Sequence, residues 1–279
     1  MINTENIAYC VTRLVCTKAD GTKSSGTGFI FSLHGDASSH VPILITNKHV
    51  IENSIETTFR LTQMDEEGNP LFRDFPTIRI PTKNLWVNHP NEKIDLCATT
   101  FGNILKTFEQ NLGSNIRWSR ITTDIVPSLE KFSTFSELED VLMVGYPIGL
   151  SDEHNNRPIF RKGVTATKPG LPYNGRNEFL IDIAAFPGSS GSPVFLYKEG
   201  LNVVNSAGTR LAGRDEKFYF VGVLYGGHEW NATGKIETIN IPTTFDSIFR
   251  SRIPANLGCV ISSKVIQEFE KVIPKPTKN

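Results

Sequence analysis

At 279 residues and 39% hydrophobic content, the chain is long enough for a sizeable core and too apolar to be mainly disordered. Its 29 basic and 29 acidic residues cancel without forming a like-charge block, which sets aside a nucleic-acid partner or an acidic membrane surface reached by long-range steering. No run approaches the roughly 18 apolar residues of a membrane span. The opening MINTENIAYCVTRLVC lacks the basic and apolar regions of a secretory signal, so the expected location is cytoplasmic.

In chain order, residues 7–16 (IAYCVTRLVC) alternate loosely and predict a first strand, 20–25 (DGTKSS) a turn, and 26–32 (GTGFIFS) a second strand. VPILIT at 41–46 is a short apolar run, which predicts a strand buried on both faces. Strands follow at 56–62, 77–80 and 94–100, with Pro42 and Pro81 at strand edges, where a missing N–H is tolerated. Residues 103–140 are less regular, and 135–147 ends in a strand, VLMVGY. Later strands fall at 159–167, 178–184, 192–197 and 217–225. From Ser262, apolar residues at 265, 266, 269, 272 and 273 stand near helical spacing, which predicts a C-terminal helix capped by Ser262 or Ser263 and stopped by Pro274. Many Gly and Pro residues punctuating short aromatic and β-branched runs indicate an all-β body. Cys10, Cys16, Cys97 and Cys259 show no CxxC pair or zinc spacing and read as buried small hydrophobes in a reducing compartment.

Chemistry concentrates in three segments. In Phe-Pro-Gly-Ser-Ser-Gly-Ser-Pro-Val-Phe at 186–195, a nucleophilic serine needs its own N–H and that of the residue two before it to face one hollow, where an oxyanion is stabilised. Gly188 eases that twist and Gly191 leaves room beside the attacked carbonyl; a Ser/Gly-rich surface turn is the plain alternative. In Ile-Thr-Asn-Lys-His-Val-Ile at 45–51, His49 follows a buried strand and a short turn, the fixed setting a general base requires. In Ile-Asp-Leu-Cys-Ala at 94–98, Asp95 is an acid within an apolar strand, where it needs a partner: either the imidazole of His49 or a backbone N–H of the preceding turn. The order His, Asp, Ser is one of the known triad orders and excludes those of the α/β-hydrolases and subtilisin.

With these motifs the chain resembles the chymotrypsin/trypsin-like serine peptidases, nearest to the bacterial HtrA-like and glutamyl-endopeptidase-like branches. GTGFIF at 26–31 is similar to the family's strand before the histidine, TNKHVI to its histidine motif, IDLCA to its aspartate motif and PGSSGSPV to its serine motif. GYPIGL at 145–150 and VGVLYGG at 221–227 resemble the turn-bearing and groove-lining strands of the second barrel. The resemblance implies two six-stranded antiparallel β-barrels and a C-terminal helix. Residues 1–125 would form a barrel carrying His49 and Asp95, 126–260 a barrel carrying Ser190, and 261–279 the helix and tail. It also implies Ser190 as nucleophile, His49 as general base then acid, Asp95 as the orienting carboxylate, and the N–H groups of Gly188 and Ser190 as the oxyanion hole. Motif register selects Ser190 over Ser189 and Ser192.

Several features depart from the digestive members. Ser189 stands where they carry an aspartate that pairs with a newly cut N-terminus, and the flanking paired cysteines are missing. Ala184 occupies the position where an acid would select Lys or Arg, and Leu224 the place of the histidine of glutamyl-specific members. A pocket of Ala184, Leu224, Tyr225, Gly226 and Gly227 is therefore matched to a small or medium apolar side chain, with His228 just beyond it. The expected activity is cleavage of a protein or peptide substrate, with neither metal nor other cofactor, under a regulatory protein partner or on one dedicated substrate. A dormant trypsin-like fold acting as a binding module is the alternative. Metal-dependent hydrolysis is set aside because none of the six histidines forms HExxH or a similar pair.

Overall fold

The structure is a computed structural model that describes residues 3–36, 39–72, 75–198, 202–204, 210–213, 217–235 and 248–275. Its first element already departs from the expected strand over 7–16. The Asn3 side chain accepts the Asn6 N–H at 2.8 Å and caps helix α1 (Thr4–Cys10), which buries Ile7, Ala8, Tyr9 and Cys10. The cap converts 7–10 from strand into helix, and the first strand begins at Val11.

β1 (Val11–Lys18), β2 (Lys23–Asp36) and β3 (Ser39–Thr46) form an antiparallel meander. After the one-turn helix α2 (Lys48–Ile51), β4 (Ser54–Arg60) returns to the free edge of β1. β5 (Thr62–Gln63), β6 (Thr77–Pro81), β7 (Val87–Asn88) and β8 (Cys97–Thr100) follow. Seven strands make one curled sheet, ordered β6-β4-β1-β2-β3-β8-β7, while β5 pairs separately with β9 (Ile116–Arg117). The first of the two expected barrels takes the form of a curled half-barrel of seven strands, where six were expected. Pro81 ends β6 and β7 is two residues long, so neither edge offers the ladder that closure needs.

Between the two halves the chain folds helix α3 (Phe101–Leu112) where no regular pattern was expected, and it ends at Gly113 in the left-handed conformation. A short helix α4 (Leu129–Ser133) precedes the second half. β10 (Asp140–Gly145), β11 (Ile159–Thr165), β12 (Glu178–Asp182), β13 (Pro193–Lys198), β16 (Lys217–Lys235) and β17 (Ile248–Ser262) close a six-stranded antiparallel barrel, as expected for this half. β14 (Asn202–Val204) and β15 (Arg210–Gly213) pair as a separate ladder.

Phe29 and Phe31 from β2 meet Phe195 and Phe220 from the barrel and Phe269 from the C-terminal segment in one buried cluster, with Phe29 and Phe220 edge-to-face at 5.4 Å. The open face of the first sheet is closed by the barrel and not by its own strands. The expected C-terminal helix starts at its Ser262 cap and is a 3-10 helix, Ser263–Lys271. It packs back on the first sheet through two buried histidines: His34 Nε2 contacts the Ile273 carbonyl at 2.8 Å and His89 Nε2 the Val265 carbonyl at 2.9 Å.

Candidate active site

Register across the first sheet brings two chemical groups together. β3 and β8 pair with Thr46 opposite Cys97, so His49, three residues after one, and Asp95, two before the other, leave the sheet at the same end. His49 Nδ1 and Asp95 Oδ2 are 2.5 Å apart, and the other carboxylate oxygen accepts the His49 backbone N–H at 3.2 Å. A carboxylate only accepts, so in the neutral imidazole Nδ1 carries the proton and Nε2 is left as the ring's acceptor. The buried Asn47 side chain fixes the acid's backbone by donating to the Asp95 carbonyl at 2.8 Å. Asp95 was expected inside a strand; it occupies the turn before β8, where Leu96 N–H bonds Ile94 O at 2.9 Å. Ile94 and Leu96 are buried from that turn, and this produced the strand-like pattern.

Ser190 lies on the loop from β12 to β13, and the structure separates the three neighbouring serines. Ser189 and Ser192 are wholly buried, whereas Ser190 is partly exposed and lines a cleft. Two amide planes around it are pinned by their carbonyls: Pro187 O accepts Ile148 N–H at 2.6 Å, and Ser189 O accepts Ser192 N–H at 3.0 Å. In a trans peptide the N–H points opposite its C=O. The N–H groups of Gly188 and Ser190 therefore face away from these contacts, and neither has an acceptor among the described residues, while those of Ser189 and Gly191 are engaged. Ser190 Oγ is 3.4 Å from the Tyr225 carbonyl and has no hydrogen bond to His49 among the described residues.

The loop docks on the first sheet through Thr27, within the GTGFIF segment but not singled out there. Thr27 N–H donates to Ser190 O at 2.8 Å, while Thr27 Oγ1 donates to Gly188 O at 2.9 Å and accepts Tyr146 N–H at 3.1 Å. Thr27→Val preserves shape and leaves a buried carbonyl and N–H unpaired. It is expected to cost about 1–3 kcal/mol, read from the urea midpoint at constant m-value. Gly191 is the steric counterpart: its φ is +89°, and a Cβ there would lie 1.9 Å from Thr27 O and 2.7 Å from Thr46 Oγ1. Gly191→Ala is expected to lower stability by more than the roughly 1–3 kcal/mol of its backbone conformation alone, measured by calorimetry.

The cleft has a volume of about 280 Å³ and is lined by Ala185, Phe186, Leu224, Gly226, Gly227 and His228, together with Pro187, Ser190, Asn256 and Leu257. Of the expected pocket residues, Leu224, Gly226 and Gly227 face it. Ala184 and Tyr225 lie outside the lining; the Tyr225 hydroxyl turns away to donate to Glu178 Oε2 at 2.9 Å. All four cysteines are unpaired and buried, and burial pushes the Cys10 thiol up to about 12. Among the described residues no His, Cys, Asp and Glu cluster could hold a metal ion, and no helix is long and apolar enough to cross a membrane.

The described site thus offers a histidine paired with a carboxylate, a hydroxyl opening on a cleft and two unengaged amide donors on a two-part β scaffold. The trypsin-like peptidase domain family matches residues 26–203, and the chain belongs to that family. No curated protein matches it in sequence. Among solved structures it is similar to the HtrA-type protease AlgW with tripeptide (15% identity, covering 96% of this chain and 61% of that one, TM-score 0.47). It is also similar to the Rv3671c protease from M. tuberculosis in its active form (14% identity, 99% and 85% covered, TM-score 0.49). A third is the protease Anisep from Arthrobacter nicotinovorans (14% identity, 96% of each chain covered, TM-score 0.47).

Proposed function

We propose that the protein is a serine endopeptidase in which Ser190 is the nucleophile, His49 the general base and acid, and Asp95 the orienting carboxylate. The observation that carries this reading is the 2.5 Å contact between His49 Nδ1 and Asp95 Oδ2, which leaves Nε2 free to accept a proton. Ser190 Oγ leaves the Tyr225 carbonyl and attacks the scissile carbonyl as its proton passes to His49 Nε2. The oxyanion that forms is received by the N–H groups of Gly188 and Ser190. The tetrahedral species collapses, His49 protonates the departing amine, and an ester of Ser190 remains. Water then attacks the ester, its proton taken by His49 and returned to Ser190.

The walls formed by Ala185, Leu224, Gly226 and Leu257 support a small or medium apolar residue on the acyl side of the cut. The buried, unpaired thiols accord with a reducing, cytoplasmic setting. One observation favours a second reading, a dormant binding module: Ser190 Oγ is turned to a carbonyl and not to His49. Fluorophosphonate labelling of the whole chain, with the adduct mapped by peptide mass, separates the two. An adduct on Ser190 with cleavage of a peptide library is the expected result; no adduct, alone or with protein partners present, makes the chain a binder.

A further inference from the structure

The loop that carries Ser190 is held by a side chain that no step above uses. Arg161, on β11, donates through Nη1 to the Ala184 carbonyl and through Nη2 to Ser189 Oγ at 2.8 Å. These acceptors stand at the two ends of segment 184–189, which contains the Pro187–Gly188 amide. Internal support for the segment is sparse: Ser189 N–H reaches Phe186 O, and Phe186 itself is exposed. Arg161 has no carboxylate within ion-pair distance among the described residues, and its Nε is buried without a partner. Burial holds the guanidinium below its ordinary value.

A half-buried cation without a counter-charge carries a desolvation cost, and an apolar residue at this position would avoid it. What the guanidinium supplies instead is a rigid fork that meets two acceptors at a fixed separation. Ile148 N–H and Thr27 Oγ1 engage Pro187 O and Gly188 O within the same segment, so Arg161 completes its attachment at both ends.

We infer that Arg161 is a positioning residue for the oxyanion-binding amides: it clamps Ala184 and Ser189 and so holds the Gly188 N–H where charge develops on the scissile carbonyl. The inference rests on the peptidase reading above. It also assigns Ser189 a purpose, since its buried hydroxyl is the clamp's acceptor and not a spare nucleophile.

The test compares the full-length protein with Arg161→Met, Arg161→Lys and Ser189→Ala. Three quantities are measured: kcat and KM on the best peptide from the library, inhibition by the matching peptide aldehyde against the plain product peptide, and hydrogen exchange of amides 184–192. Arg161→Met is expected to lower kcat about 100-fold and to weaken the aldehyde, whose hemiacetal uses the oxyanion amides, in proportion. Product affinity should change by less than about threefold, because product binding does not draw on that charge. Arg161→Lys should recover part of kcat, since an ammonium reaches one acceptor, and Ser189→Ala should lose less than Arg161→Met because the Ala184 bond remains. The Ser189 amide should exchange at least about tenfold faster in Arg161→Met, with barrel strands unchanged.

Wild-type kcat and aldehyde affinity in folded Arg161→Met overturn the clamp. If that variant does not fold, folded Arg161→Lys with wild-type values overturns it. If the wild type neither cleaves nor labels, the peptidase reading fails first, and exchange over 184–192 decides the clamp alone: no acceleration in either Arg161 variant refutes it.

Discussion

Ser190→Ala is expected to lower kcat by about 10⁶ and to abolish fluorophosphonate labelling, with folding and product-peptide affinity kept. The size follows from what the hydroxyl supplies. Without Oγ there is no acyl-enzyme, and what remains is the binding cleft and two amide donors acting on water, a residual worth about 10³–10⁴ over solution. Ser192→Ala gives the contrast. Ser192 Oγ is buried with no hydrogen-bond partner, so its removal relieves an unsatisfied group and should leave stability equal or higher by thermal melt. A large loss at Ser192 with none at Ser190 would move the nucleophile.

Asp95→Asn is expected to lower kcat/KM about 10⁴-fold while the fold stays intact. The carboxylate accepts from both the His49 backbone N–H and Nδ1. An amide at this position can keep the backbone bond with its oxygen, but it then turns its NH₂ toward Nδ1. Nδ1 becomes the acceptor, the ring proton moves to Nε2, and Nε2 can no longer take the proton that the proposed mechanism assigns to it. Nitrogen NMR of the His49 ring reads this tautomer change directly. An Asn variant with wild-type turnover and an unchanged Nδ1–H signal would falsify the orienting role.

The parts legible in the sequence were those whose physics is local. VPILIT is apolar throughout because β3 is covered on both faces, and that placed His49 at a fixed strand end. The twist around Ser190 announced itself because Gly188 and Gly191 both take positive φ. Asp95 was read correctly as an acid among apolar neighbours and incorrectly as a strand residue, since a buried turn and a short strand share one hydropathy pattern. Helix α3 did carry a signal, with Phe101, Ile104, Leu105 and Phe108 at helical spacing. The closed barrel was legible as regular strands, but the open first sheet was not, because closure depends on edge pairing between segments distant in sequence. Thr27 and Arg161 were illegible for the same reason: each acts on a carbonyl or hydroxyl across the fold, and a lone threonine or arginine in a strand advertises nothing.

The bonds from His34 and His89 to the C-terminal segment 263–273 bear on the order of events during synthesis. His89 lies on the stretch that runs through Asn91 and Ile94 to Asp95, and its imidazole is braced by Val265 O and the Phe269 ring at 5.1 Å. A ribosome releases the histidine and aspartate segments long before residues 263–273, so the nascent first sheet stands without its brace. The contacts of His89 with Val265 and Phe269 therefore form only once residues 263–273 have been made.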